Sequence, residues 1–136
     1  MLVRSLLAAA LMALVTFSGV CAQDVHWPDY DTLQTQMFFG MHSAEGKGVS
    51  EQDWAGFLEK EITPRFPDGL TVLFAYGQGT GGPPGGVIAE NTKVLVVVHE
   101  NTNEAQAKFS DIEAAYKRQF GDKGVFRIDS PVRIAD

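Results

Sequence analysis

A chain of 136 residues with an apolar share of 45% is sized for a single globular domain. Its formal net charge is −6 at pH 7, and its Lys and Arg residues are scattered rather than striped. That balance excludes nucleic acid and anionic membrane as natural partners.

The first residues do not belong to the domain. Arg4 supplies a positive charge, Leu6 to Val15 form an apolar run, and Val20 and Ala22 fit the small-residue pattern read by a signal peptidase. The pattern predicts a leader over 1–22, cleaved between Ala22 and Gln23, and hence a periplasmic or secreted protein. The run is too short for a stable membrane span, and no later stretch is long enough. Cys21 opens a lipoprotein reading, but a bulky Val20 precedes it, where lipidation needs a small residue. After cleavage the chain has no cysteine, so stability must come from packing rather than disulfides.

The expected division is an irregular arm over 23–32, with Trp27 and Tyr30 docked on the domain, and one α+β domain over 33–136. Leu33 to His42 reads as the first strand, with Leu33, Thr35, Met37, Phe39 and Met41 on one face. Ser50 caps a helix that opens with Glu51 and Asp53, and Trp54, Phe57, Leu58 and Ile62 form its buried stripe. Pro64 ends that helix, and Pro67-Asp68-Gly69 makes a turn. Leu70 to Gln78 is a second strand, with Leu70, Val72, Phe74 and Tyr76 facing one way.

Gly79 to Gly86 holds too many glycines and prolines for regular structure. No lysine and no helix follow it, so it reads as a hairpin tip rather than a phosphate loop. The return strand begins at Val87, bends or bulges at Asn91, and continues to His99. Its segment Val94 to Val98 is apolar on both faces, as an interior strand must be. Asn101 or Thr102 caps the second helix, whose buried stripe is Ala105, Phe109, Ile112, Tyr116 and Phe120, and Gly121 ends it. Val125 to Val132 is the last strand, and Pro131 suits an edge. The order βαββαβ predicts a ferredoxin-like fold: a four-stranded antiparallel sheet in the order 4-1-3-2, with two helices on one face.

Met37-Phe-Phe-Gly40, Trp54, Thr63-Pro-Arg-Phe-Pro67, Gly69-Leu-Thr-Val72, Tyr76-Gly-Gln78, Lys93, Ala115-Tyr-Lys117, Phe120 and Pro131-Val132 occur in a telling order. With them the chain resembles a family of small secreted bacterial proteins, the domain of unknown function family 3574. The resemblance covers nearly all of the chain after the leader. It implies a periplasmic or secreted protein and implies no activity. The family pattern often carries an acidic residue where Phe74 stands and an aromatic one where Gly79 stands.

His42 and His99 fall at opposite ends of the sheet, too far apart to share a metal, and neither a Gly-x-Ser-x-Gly elbow nor a cysteine nucleophile is present. No metal or other cofactor is expected. The topology gathers His42, Tyr76, Gln78, Glu90, Lys93 and Arg127 at one end of the sheet. His42, Tyr76 and Gln78 are the catalytic candidates, and Glu90, Lys93 and Arg127 the ligand-binding ones. Arg65 and Glu61 lie at the other end, where Arg65 pins the proline turn.

Both sheet faces carry large apolar side chains, yet the helices cover only one. A second copy packing sheet to sheet would bury the other. The leading reading is therefore a non-catalytic, homodimeric domain that binds a small ligand or an envelope protein. The alternative is a cofactor-free enzyme of the dimeric α+β barrel type, monooxygenase- or isomerase-like, with its pocket near Tyr76.

Overall fold

The structure is a computed structural model that describes residues 27–42, 48–80, 86–121 and 124–135. The expected leader, its cleavage site and the tip of the glycine-rich loop lie outside these residues.

Strand β1 (Thr32–Gly40) buries every second residue, because Leu33, Thr35, Met37 and Phe39 all face the helices. It is followed by α1 (Glu51–Phe57), whose cap is Ser50. The Ser50 hydroxyl accepts the backbone N–H of Asp53 at 3.1 Å. The helix does not simply stop at Pro64. It widens into a π-helical turn over Leu58–Ile62 and then tightens into a 3-10 turn over Thr63–Arg65. Pro64 has no N–H to return to the preceding turn, and its ring crowds the carbonyl four residues back, so the α-helical ladder cannot run through it. Arg65 secures the altered turn by donating to the Glu61 backbone carbonyl and pairing with the Glu61 carboxylate at 3.2 Å.

Gly69, at φ 128°, completes the turn into β2 (Thr71–Thr80) with a conformation that a side chain would resist. Strand β3 (Val87–Glu100) returns antiparallel in an unbroken register from Thr80↔Val87 to Thr71↔Val96. The bulge expected at Asn91 is absent. Asn91 sits opposite Tyr76 in regular pairing, and a polar residue at this exposed position needs no kink to reach water. Helix α2 (Asn103–Phe120) takes Thr102 as its cap, and Gly121 ends it. Asn101, the other cap candidate, instead donates to the carbonyls of Trp27 and Tyr30 at 2.9 Å each, and so ties the N-terminal arm to the domain. Strand β4 (Val125–Pro131) closes the chain's regular structure.

The sheet order is β2-β3-β1-β4, with every pairing antiparallel. This is the ferredoxin-like α+β arrangement read from the sequence. β3 and β1 are central, and Val94, Leu95 and Val97 are buried, as a doubly flanked strand requires. The core lies between the sheet and the helices. Phe39 is its hub, with ring centroids 5.1 Å from Trp54, 6.3 Å from Phe57 and 4.9 Å from Tyr116, mostly tilted or edge-on. Each such buried ring removes enough apolar surface to contribute about 2–3 kcal/mol, with edge-on contacts adding to that. Among the described residues no helix is long and apolar enough to cross a membrane.

Candidate functional site

Registers decide which face each candidate occupies, because residues directly opposite in a strand pair share a face. Phe74 lies opposite Lys93 and Tyr76 opposite Asn91, so Phe74, Tyr76, Gln78 and Lys93 stand on the helix side of the sheet. Glu90 and Gly40 stand on the side without helices. The six candidates therefore do not converge on one pocket. The sheet itself divides them.

On the side without helices, Glu90 lies over Gly40. A Cβ at position 40 would come within 2.5 Å of the Glu90 carboxylate, so glycine lets the carboxylate lie there and a side chain would make it swing aside. The same carboxylate accepts the backbone N–H of His42 at 3.2 Å, just past the end of β1, while the His42 side chain is exposed. From the core side, the Tyr116 hydroxyl donates to the Gly40 carbonyl at 2.7 Å. Burial, with the Glu90 charge nearby, pushes the Tyr116 phenol well above its ordinary range. Tyr116 is thus a hydrogen-bond donor and not an acid at physiological pH.

On the helix side, the β2–β3 hairpin runs past the end of β1 as a two-stranded arm, since β1 stops where Gly40 meets Thr92. Gln78 donates to the Tyr76 hydroxyl at 2.9 Å. The other face of this arm, where Gly77, Gly79, Ile88 and Glu90 lie, carries an open groove of about 330 Å³, which Gln78 and Thr80 also line. Tyr76 is 65% exposed on the helix side, across the sheet from that groove.

Lys93 is not part of that groove. Its side chain is 3% exposed, its ammonium meets both Glu51 carboxylate oxygens at 2.6 and 2.8 Å, and it sits 3.6 Å from the centre of the Phe74 ring. Carboxylate and π face together satisfy a buried cation. Lys93 therefore ties β3 to the first turn of α1 and has no donor to offer a ligand. Phe74 shields it from water while remaining 75% exposed itself.

Arg127 also leaves the expected group. It points toward the opposite half of the sheet, where its Nε donates to Asp129 at 2.9 Å, its terminal nitrogen donates to Gln106, and the guanidinium lies over the Phe109 ring. Asp129 accepts the Thr35 hydroxyl at 2.5 Å, and Thr35 Oγ1 is 2.7 Å from His99 Nε2. The other ring nitrogen of His99 donates to the Glu100 carbonyl at 2.8 Å. Thr35 has one hydroxyl proton and two neighbours able to accept it, so while the imidazole is neutral it can serve only one of them at a time. Burial dominates the imidazole and holds His99 below its ordinary value of 6.5.

Thr35, Asp129, Gln106 and Glu51 were not singled out from the sequence. The available signal was Thr35, the lone polar side chain in an otherwise apolar buried stripe, which had to find partners inside. His99 faces a second groove of about 300 Å³, which Arg65, Phe66, Asp68 and Lys108 help to line. Thr35 itself is fully buried, so the Thr-His-Asp row has no nucleophile within reach of a substrate. Among the described residues no three His, Cys, Asp or Glu side chains group as metal ligands would.

The most conspicuous surface is the sheet side without helices. Gln34, Gln36 and Phe38 of β1, Leu73 and Ala75 of β2, Thr92, Val94, Val96 and Val98 of β3, and Phe126, Ile128 and Ser130 of β4 share it. Leu73, Val98 and Phe126 are about half exposed or more, and the Phe38 and Phe126 rings pack at 5.9 Å. Between Glu90 and Glu100, at the two ends of β3, this face carries no charged strand residue.

A solved structure of a phage SAM lyase in complex with S-methyl-5'-thioadenosine is similar in fold. Its TM-score is 0.56 at 12% sequence identity, over 75% of this chain and 82% of that one. At that identity the likeness concerns the fold alone. No curated protein matches the chain in sequence. Residues 34–135 match the sequence profile of a family described as a protein of unknown function, DUF3574, and the chain belongs to that family.

Proposed function

We propose that the chain is a periplasmic or secreted binding domain, a homodimer through the uncovered sheet face, whose ligand is a small molecule or another envelope protein. The observation that carries this reading is that face: four strands wide, apolar at its centre and free of charge between its ends. An apolar face of that extent is costly to leave in water. A second copy covers it without placing like charges against each other, because there are almost none to oppose. Apolar, two-fold related patches of this kind are the usual material of isologous dimers.

Light scattering on the full chain, expressed with its own N-terminal segment, tests the reading. Phe126→Glu places a carboxylate in the middle of the patch and is expected to halve the mass while the circular dichroism stays unchanged. Identical masses for wild type and variant would sink the proposed dimer.

A second reading is a cofactor-free enzyme whose pocket lies near Tyr76. What favours it is the exposed Tyr76–Gln78 hydrogen bond on an arm whose other face carries an open groove lined in part by Gln78 and Glu90. The fold likeness to the SAM lyase adds that this architecture is compatible with small-molecule chemistry. Loss of turnover in Tyr76→Phe, with folding intact, would establish this reading and retire the non-catalytic one.

A further inference from the structure

The two edges of the sheet are unlike each other. β4 is defended: it is seven residues long, it ends in Pro131, and it carries Arg127 and Asp129. β2 is ten residues long, in the order Thr-Val-Leu-Phe-Ala-Tyr-Gly-Gln-Gly-Thr, with no charge, no proline and an unbroken register against β3. Among the described residues β2 has a strand neighbour on one side only. Long, flat, uncharged edges are what proteins ordinarily avoid, because their free N–H and C=O groups template another strand.

The side chains of β2 point to the same need. Phe74 and Tyr76, 75% and 65% exposed, stand on one face of the strand, and Leu73, 50% exposed, stands on the other. A partner laid on the open sheet face would cover Leu73 and leave both aromatic rings in water. A strand added along the edge would give neighbours to all three at once.

We propose that β2 pairs antiparallel with β2 of a second copy about a two-fold axis near Ala75, which joins two sheets into one of eight strands. In this register Phe74 lies opposite the partner's Tyr76, and Tyr76 opposite the partner's Phe74, so each copy contributes to two aromatic pairs. On the other face Leu73 lies opposite the partner's Gly77, which leaves the leucine room. The strand has no charge to repel its twin. β4 of another copy is the poorer partner: Pro131 lacks an N–H, and a β2–β4 contact is head-to-tail and does not close on itself. This edge contact is independent of the face contact proposed above. Either alone builds a pair, and together they close at four copies when their two-fold axes intersect.

The test uses the full chain, with light scattering over a concentration series and amide exchange resolved along β2. The expected result is self-association that protects the β2 amides more as concentration rises. F74E/Y76E places carboxylates directly opposite one another across the axis. It should weaken the association by roughly a hundredfold, through lost aromatic pairs and like-charge opposition, with circular dichroism unchanged. F74E/Y76K sets each glutamate opposite a lysine and should restore it. Phe126→Glu, on the open face, should leave the β2 protection in place even where it abolishes the face contact. Undiminished association in F74E/Y76E would overturn the edge contact, as would β2 amides that exchange freely at every concentration. Protection that does not depend on concentration would overturn the second copy as occupant and assign the edge to a segment of the same chain. An F74E/Y76K variant no better associated than F74E/Y76E would overturn the register.

Discussion

The two faces of this sheet are built from the same four strands and nearly the same residue types, yet they play opposite parts. On the helix face, Phe39, Met37, Leu95 and Val97 meet Trp54, Phe57, Ile112 and Tyr116, and the buried polar side chains Thr35 and Lys93 have partners. On the other face Phe38, Val96, Val98 and Phe126 form an apolar row, of which Val98 and Phe126 are exposed. Hydrophobicity alone therefore does not locate the core. What locates it is which face the helices reach, and the face they leave is the one on which function is to be sought.

The comparison breaks most visibly if equivalent rings are removed from each side. Phe57→Ala, in the aromatic cluster, should cost about 3–5 kcal/mol of unfolding free energy, because the site is 1% exposed and its neighbours cannot collapse far into the space. Urea unfolding followed by tryptophan fluorescence would report it, since Trp54 lies 6.0 Å away. A loss under 1 kcal/mol would mean that the helix face is far more plastic than its packing implies.

The Lys93–Glu51 pair sharpens the contrast, because it shows what the covered face demands of a charge. Glu51→Ala leaves a lysine that is 3% exposed without its carboxylate, and should cost about 1–2 kcal/mol. The figure is kept modest because Glu51 is 75% exposed and water can partly replace it. Lys93→Met, which removes the charge instead of stranding it, should be close to neutral in the wild type and should recover the loss in the Glu51→Ala background. If both single variants cost the same, Lys93 is not held by this pair.

Much of this was legible in the sequence, and the exceptions are instructive. Period-two patterning in β1, the Ser50 and Thr102 caps and the doubly apolar Val94 to Val98 were enough for the fold, because each is a local rule that agreed with its neighbours. The candidate site was read less well. Placing Tyr76, Glu90 and Lys93 at one end of the sheet was a statement about position along the strands, and which face a side chain takes depends on register. A shift of one residue reverses the face, so Glu90 and Lys93, three apart on one strand, emerged on opposite sides. Arg127 went astray for another reason: a long side chain near mid-strand reaches either way, and Asp129, Gln106 and the Phe109 ring drew it away from the hairpin.

Burial of His99, in its row with Thr35 and Asp129, gives the covered face a pH dependence. The sign follows from burial. The folded site holds His99 below 6.5, so at pH values between the folded pKa and 6.5 the unfolded chain binds the proton more readily. The contribution of His99 is then fully present above 6.5 and is lost as pH falls through the folded value. Unfolding measured from neutral to mildly acidic pH should show stability declining over that interval, and His99→Gln should flatten the decline. An undiminished slope in the variant would assign the acid sensitivity to other groups. Imidazole resonances followed by NMR would separate His99 from the exposed His42.

The smallest effect on stability, and the most diagnostic, belongs to the open face. Phe126 is 62% exposed, so Phe126→Ser removes a ring that contributes little to the fold of one copy, and unfolding at high dilution should shift by no more than about 0.5 kcal/mol. The same kind of loss at Phe57, in the covered core, should cost several times that. At higher concentration the same Phe126→Ser variant should lose the extra stability that the face contact supplies, because a partner that binds only the folded chain stabilises it by mass action. Wild-type stability should therefore rise more steeply with concentration than that of the variant. Two curves that coincide at every concentration would mean that the apolar face is left open to solvent, and its freedom from charge would then have to be explained by a partner other than a second copy.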